Sequence, residues 1–544
     1  MSADVLLRRA VRGATALRGG ASWRPTPYQV FGGLFWLVMS LAYWRVPQCC
    51  DAGQHAAVVE RLRASLLSPR HPTADLPGAG SPYYSPYAVT EGAFARLTDL
   101  GGWAVLRLAG PLNLLVLLTG LARFVRVLAP RRIWAPVLAL FATTLLWGTE
   151  SAWWSGSLGL LPMTGNLGDP SMFAIGLTFW AWALTATRAA GGDGPVRYVG
   201  PSGLRGFPGY AGVGALYGLI LLVHPVTGLA AALGAVAVVA GTQRRWRPAV
   251  AGRWALTGGA ALLVAYCWPY FDVFAVTGHP GLDATYERLY EGMPGHFWLA
   301  LAALPALWLR ARGSVRDPLV LMFVLECALV AYGWVSGHHA YGGAVGLALV
   351  PAQIALAVEL AAPRPWPVRR RVLGVVAAAA VCAGFLTAQA GAVVPRSLDP
   401  VGFEQPPRAP TYAWAARYIE PGEAVVVDGR DAVRLLPGHG VDLVAPTLPD
   451  PALDERERQR RLAAVRAYLA PTSTRAERTA VARRHHVRWL LLTPRQRMPE
   501  EAVAVAWSRE TGEVLARVDA GAGATRSAEP VRSARPARTA PTTR

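Results

Sequence analysis

Asp51 follows directly on a long apolar stretch, in the run CysCysAspAlaGlyGlnHis at 49–55. A carboxylate just beyond the end of an apolar helix sits where membrane meets water and can face a lipid-linked substrate without the full cost of desolvation. His55 is four residues further on, and in a helix over 53–66 the two would share a face. That segment has Val58, Val59, Leu62 and Leu66 on one side and Glu60, Arg61 and Arg63 elsewhere, the pattern of a helix lying in an interface. It reads equally as the wall of a substrate cavity and as a loop helix resting on lipid. Arg70-His71-Pro72 and the run SerProTyrTyrSerProTyr at 81–87 follow. The rings of Tyr84 and Tyr87 suit the face of a sugar, with hydroxyls to hydrogen-bond it; the bland reading of either is an interfacial aromatic belt. Further on, Glu150 stands just past another apolar run, followed by Trp153, Trp154, Asn166 and Asp169. Tyr286, Glu287, Arg288, Tyr290 and Glu291 form a later set, and His224, His338 and His339 punctuate other loops. Glu326 and Glu359 lie inside apolar runs, where an ionisable group is read as functional by default. The five Cys show no metal or disulfide spacing.

The elements that must position these groups are membrane helices. The chain has 544 residues, 53% hydrophobic and 16% charged, too apolar a balance for a soluble protein of this length. Apolar runs near 28–46, 103–122, 133–149, 171–187, 210–223, 226–241, 254–271, 296–309, 318–336, 341–360 and 372–393 predict about eleven transmembrane helices. Two of them are short and meet at His224-Pro225, which predicts a hairpin whose tip needs cover from protein or water. With the N-terminus inside, the cytoplasmic pieces carry 23 Arg against three acids, and the opposite loops five Arg against eleven acids. Short cytoplasmic loops hold the basic excess of membrane proteins, so the net charge of +20 is an insertion signal facing membrane lipid and no nucleic-acid partner is expected. The expected organisation is a basic cytoplasmic N-terminus (1–26), an all-α polytopic membrane domain (27–394) with a long first external loop (47–102), a small extracytoplasmic α/β domain (395–519) and a disordered tail (520–544). Within the α/β domain, helices are predicted at 411–420, 455–470 and 475–485, strands at 424–428 and 487–492, and a hairpin at 502–518.

These features together resemble the GT-C glycosyltransferases. The resemblance is carried by the N-in first span with Asp51 directly after it, the long first external loop, the about eleven spans, the run LeuLeuValHisProValThrGlyLeu at 221–229, and an outer C-terminal domain containing TyrIleGluProGlyGluAlaValValValAsp at 418–428 and ArgHisHisValArgTrpLeuLeuLeuThr at 484–493. It implies an integral membrane enzyme of the bacterial cell-envelope type. Such an enzyme moves a pentose or hexose from a polyprenyl-phosphate donor to an extracytoplasmic glycan or lipid acceptor with inversion. Asp51 would then be the catalytic base. His55, Arg61, Arg70, Tyr84, Tyr87, Glu150, His224, Arg288 and His338 would bind substrate, with Arg61 or Arg70 and His338 on the phosphate. Ala52 to Gln54 supply no second carboxylate, a departure from the paired acidic motif of the family's first loop. A divalent cation between Asp51 and Glu150 or Asp169 would be the cofactor to look for, although their spacing does not specify one. The competing readings are a catalytically inactive scaffold of the same fold and a lipid or glycan transporter, in which Glu326, His224 and the broken hairpin would form a midplane pathway.

The arginine distribution predicts that a reporter fused after residue 400 is active only outside the cytoplasm. Activity confined to the cytoplasm would overturn the assigned orientation.

Overall fold

The computed structural model describes residues 25–46, 51–76, 81–151, 153–190, 207–276, 280–363, 365–406, 408–446 and 453–518. The vicinal Cys49-Cys50, most of the basic N-terminus and the expected disordered tail lie outside them. All eleven expected apolar segments are helical over most of their length. Among the described residues six helices are long and apolar enough to cross a membrane: Gly102–Leu128, Pro225–Thr242, Pro248–Tyr266, Pro318–Ser336, His339–Leu360 and Val368–Ala392. Ala135–Leu145 and Pro208–Val223 are shorter apolar helices.

Helix α1 (Pro27–Arg45) begins with a capping box between Thr26 and Gln29 and with Pro27 at its first position, where a missing N–H costs nothing. The first loop contributes α2 (Ala52–Ala64) and α3 (Pro86–Thr98), and the long α4 (Gly102–Leu128) follows. Pro111 lies inside α4 and cannot donate to the carbonyl of Arg107. The indole of Trp44 on α1 donates to that carbonyl instead, at 2.8 Å. Tyr28, Trp36 and Tyr43 likewise donate to the carbonyls of Leu118, Pro111 and Leu106, so α1 is bound along α4 by a row of aromatic donors. Helix α5 (Ala135–Leu145) is followed by α6 (Leu160–Asn166) and α7 (Pro170–Ala190). Gly176 lets α7 approach α4 closely, since a Cβ there would lie 2.8 Å from the backbone nitrogen of Leu117.

The expected hairpin forms between α8 (Phe207–Val223) and α9 (Pro225–Thr242), with His224 as the N-cap of α9. Helices α10 (Pro248–Tyr266), α11 (Pro280–Glu291), α12 (Pro318–Ser336), α13 (Val350–Leu360) and α14 (Val368–Gly384) complete the helical part. Two expected spans differ. The third ends at Leu145 rather than 149, and the segment expected at 296–309 is a short helix (Met293–Phe297), a 3₁₀ turn (Trp298–Ala303) and a further helix (Leu304–Gly313). The two breaks satisfy each other: the backbone N–H groups of Thr149 and Glu150 donate to Gly295 O, and that of Ala300 donates to Trp147 O. Irregular backbone inside a helical bundle persists only when its polar groups are matched in this way.

The C-terminal α/β domain has the expected elements plus one more strand. Strands β1 (Ala424–Val426), β2 (Asp442–Leu443), β3 (Val487–Leu492), β4 (Ala502–Trp507) and β5 (Val514–Val518) form one sheet in the order β2-β1-β3-β5-β4. The first three are parallel and the rest antiparallel. Helices α15 (Glu455–Leu469) and α16 (Arg475–Arg484) match the sequence expectation, whereas the helix expected at 411–420 shortens to Ala413–Ala416.

This domain is fastened to the first loop. Leu443 N donates to Thr73 O at 2.8 Å and Ala74 bridges Leu443 in parallel, so loop backbone covers the outer edge of β2. Arg61 pairs with Asp442, which is wholly buried, and its Nε donates to Pro72 O at 3.3 Å. A Cβ on Gly53 would collide with the carbonyl oxygen of Arg434, so the start of α2 lies directly against the short helix Ala432–Leu435. Removing one member of a buried ion pair leaves an uncompensated charge. Arg61→Ala is therefore expected to cost about 3 kcal/mol and lower the melting temperature in detergent, with Arg61→Met combined with Asp442→Leu recovering most of the loss. An unchanged melting temperature in Arg61→Ala would show that the pair does not hold the domain.

Candidate active site

Helix α2, the segment after α5, and the short helix Ala432–Leu435 enclose a cavity of about 380 Å³, within the size range of small-molecule sites. Asp51 occupies the N-cap position of α2, yet its side chain makes no capping hydrogen bond and its carboxylate is turned to the cavity wall. It stands 3.6 Å from Nη2 of Arg434, and its side chain is 47% exposed. Its access is through the cavity, and the surrounding protein raises its pKa by desolvation, against the pull of His55 and Arg434.

One helical turn on, His55 projects into the same space. Its Nε2 is 3.3 Å from Oδ2 of Asp169, the residue that opens α7. Asp169 also accepts from Ser171 N at 2.7 Å. Burial alone would raise the Asp169 pKa, but the charge of His55 and the hydrogen bonds from His55 and Ser171 hold it below the usual carboxylate range. For His55 burial opposes protonation, and Asp169, with help from Asp51 and Glu91, overcomes it and raises the imidazole pKa. Behind this pair Glu91 on α3 is buried, and desolvation pushes its pKa up to about 8, so it is a neutral acid at pH 7. The surroundings thus set the three carboxyl groups apart: Asp169 is pushed down, while Asp51 and Glu91 are pushed up.

Ser151, Trp153, Trp154 and Ser155 form another wall. Asn166 Nδ2 holds the Trp154 carbonyl at 3.0 Å, and Ser155 Oγ meets the Tyr286 hydroxyl at 3.0 Å. Arg288 and His296 also line the cavity. Of the two readings of the first-loop helix, the structure shows the wall of a cavity.

Of the site residues expected from sequence, Asp51, His55 and Arg288 come together at the cavity. The others are placed elsewhere. Glu150 is exposed, 4.0 Å from His296. His224 caps α9 through Thr227. Arg61 joins the two domains, Arg70 faces Asp75 at 3.8 Å, and the Tyr84 hydroxyl donates to Arg70 O. Tyr87 is buried against Phe173 and Asn113, and His338 lies 3.5 Å from Asp283. Each of these side chains has a structural partner in the fold, and none of them lines the cavity. The sequence reading singled out Asp169 and Tyr286 without placing them among the substrate groups, and it gave no role to Glu91, His296 or Arg434. Asp169, next to Pro170 at a helix start, carried a signal; nothing local to Arg434 did.

Among the described residues no group of three or more His, Cys, Asp or Glu side chains is placed to hold a metal ion. Asp169 is engaged by His55 and Ser171, and Glu150 is exposed near His296.

No family model and no curated protein matches the sequence. Solved structures do resemble the fold. The arabinofuranosyltransferase AftD from mycobacteria superposes with a TM-score of 0.55 over 91% of this chain at 17% identity, and this chain spans 41% of its length. The oligosaccharyltransferase AglB from Archaeoglobus fulgidus gives a TM-score of 0.48 and 11% identity over 86% of this chain and 69% of its own.

The His55–Asp169 pair has a pH signature. The raised imidazole pKa contributes stability that is complete below the unfolded value of 6.5 and is lost as pH rises through the folded one. The depressed carboxylate pKa contributes stability present above 3.8 and lost only as pH falls through its low folded value. Melting temperatures should therefore decline as pH rises above about 6.5. Asp169→Asn should lose about 2 kcal/mol at pH 6 and show a shallower decline; an identical pH profile in the variant would refute the coupling.

Proposed function

We propose that this chain, whose fold is that of the GT-C membrane glycosyltransferases, moves a sugar from a polyprenyl-phosphate donor to a glycan or lipid acceptor outside the cytoplasm. The observation that carries this reading is Asp51 opening into a cavity between a first-loop helix and a C-terminal domain, with the guanidinium groups of Arg288 and Arg434 on the same wall system. The arginine asymmetry supports a multi-pass protein of the cell membrane with its N-terminus inside and residues 411–518 outside. A cell-envelope glycan is the acceptor class that fits this placement.

The chemistry follows from charge. The acceptor hydroxyl attacks the anomeric carbon from the face opposite the phosphate, the C–O bond to phosphate breaks, and the configuration inverts. Asp51 takes the hydroxyl proton, and its raised pKa makes it a better base than an ordinary aspartate. The departing polyprenyl phosphate carries the electron pair away as an anion, and Arg434 and Arg288 offer planar donors to it. They take the role that the sequence had suggested for Arg61 or Arg70 with His338. His55, whose protonation the Asp169 carboxylate favours, stands beside Asp51 and adds positive potential there when protonated. Trp153, Trp154 and Tyr286 supply ring faces for the sugar.

Purified chain supplied with labelled polyprenyl-phosphate pentoses and hexoses and an acceptor tests this. Asp51→Asn is expected to lower transfer by about 10² to 10⁴ with donor binding little changed, and Arg434→Ala to weaken donor binding by about tenfold or more. Full turnover by Asp51→Asn would remove Asp51 from the mechanism, and no transfer by the unaltered chain from any such donor would refute the enzyme reading.

A further inference from the structure

A second cavity shares no lining residue with the first. Its volume is about 540 Å³ and its walls come from α5, α13 and α14. Leu138, Phe141, Leu356, Val375 and Val381 give it an apolar surface, and Arg371 is the single charged residue in its lining. From Arg371 to Val381 the α14 wall runs ten residues, about 15 Å at 1.5 Å per residue, or half of a ~30 Å hydrocarbon core. The groove is thus one leaflet deep and carries a cation at one end.

The charged end is well defined. Arg370, the neighbour of Arg371, is neutralised by Glu359, with Nε and Nη2 at 2.9 and 2.7 Å from Oε1. Arg371 instead donates Nε to the Trp366 carbonyl at 3.1 Å, and is paired with no carboxylate among the described residues. Trp366, the amphipathic ring favoured at a membrane surface, lines the same end. Arg131 and Arg132 precede the α5 wall, and Arg369 is exposed beside α14. Nothing acidic lines the groove to compensate this charge.

We propose that this groove is a binding site for one anionic phospholipid of the bilayer, with an acyl chain between α5, α13 and α14 and its phosphate on Arg371. The occupant is chosen by shape and charge together. An apolar slot of one-leaflet depth takes an acyl chain, and an unpaired guanidinium at its mouth takes a phosphate bidentately. A zwitterionic lipid fills the slot equally well but brings its own cation to the arginine-rich mouth. The site is independent of sugar transfer, and it lies at the end of the bundle where the basic loops gather.

The test is native mass spectrometry of the purified full chain in detergent, with phosphatidylglycerol and phosphatidylcholine added in turn. One phosphatidylglycerol per chain should be retained in preference to phosphatidylcholine. Arg371→Gln should weaken that retention about fivefold, the effect of one surface cation on an anionic lipid, and bring the two lipids level. Ala378→Trp, which adds a bulky ring to an exposed position on the groove wall, should abolish the saturable site for both lipids with the melting temperature kept. Equal retention of the two lipids by the unaltered chain, retention unaffected by either substitution, or a preference for undecaprenyl phosphate over phosphatidylglycerol would overturn the proposal.

Discussion

The contact between the start of α2 and the backbone of Arg434 is the constraint on which the rest of the site depends. Gly53 is tolerated there because it has no Cβ to collide with the Arg434 carbonyl. With the two backbones touching, the first loop and the C-terminal domain become one wall, Arg434 reaches Asp51, and the cavity closes on that side. Arg61 and Asp442 hold the same junction two turns further along α2, where a buried carboxylate would be untenable without its partner. Cavity geometry and domain docking are therefore carried by a single helix, one end of which faces the cavity while its middle is anchored.

Within the cavity, position decides protonation. Asp169 is fixed as an anion by His55 and by Ser171 N. Glu91, on the neighbouring helix and without a cation in contact, is left to desolvation and keeps its proton. Asp51, open to the cavity, is raised by desolvation against the pull of His55 and Arg434. Carboxyl groups set apart by their surroundings in this way are the arrangement expected where one must accept a proton while its neighbours hold a fixed charge pattern. Asp169, from the start of α7, brings a second carboxylate to the cavity that Asp51 lines.

The helical bundle supports this through backbone groups that local structure leaves unmatched. Pro111 frees the Arg107 carbonyl and Trp44 takes it up; the breaks after α5 and before residue 298 satisfy each other across the bundle. The paired breaks bring Ser151 and His296 to the cavity, where unbroken helices would have carried the chain past it.

Much of this architecture was legible in the chain itself. The eleven apolar runs are helical over most of their length, His224-Pro225 marked the helical hairpin, and short apolar runs marked the strands from Ala424 and Val487. Asp51 and His55 were visible because i and i+4 in a helix meet by local geometry alone. Arg61, Arg70 and His338 show where that reasoning ends: as charged residues in loops they had the right chemistry, but their partners Asp442, Asp75 and Asp283 are chosen by how the chain packs. Arg434 is the converse case, lying 383 residues from Asp51 in sequence and beside it in space. Periodicity and charge count are properties of short stretches and survive in the sequence. Which charges are neutralised and which face a cavity depends on contacts between distant segments, and only the folded chain decides those.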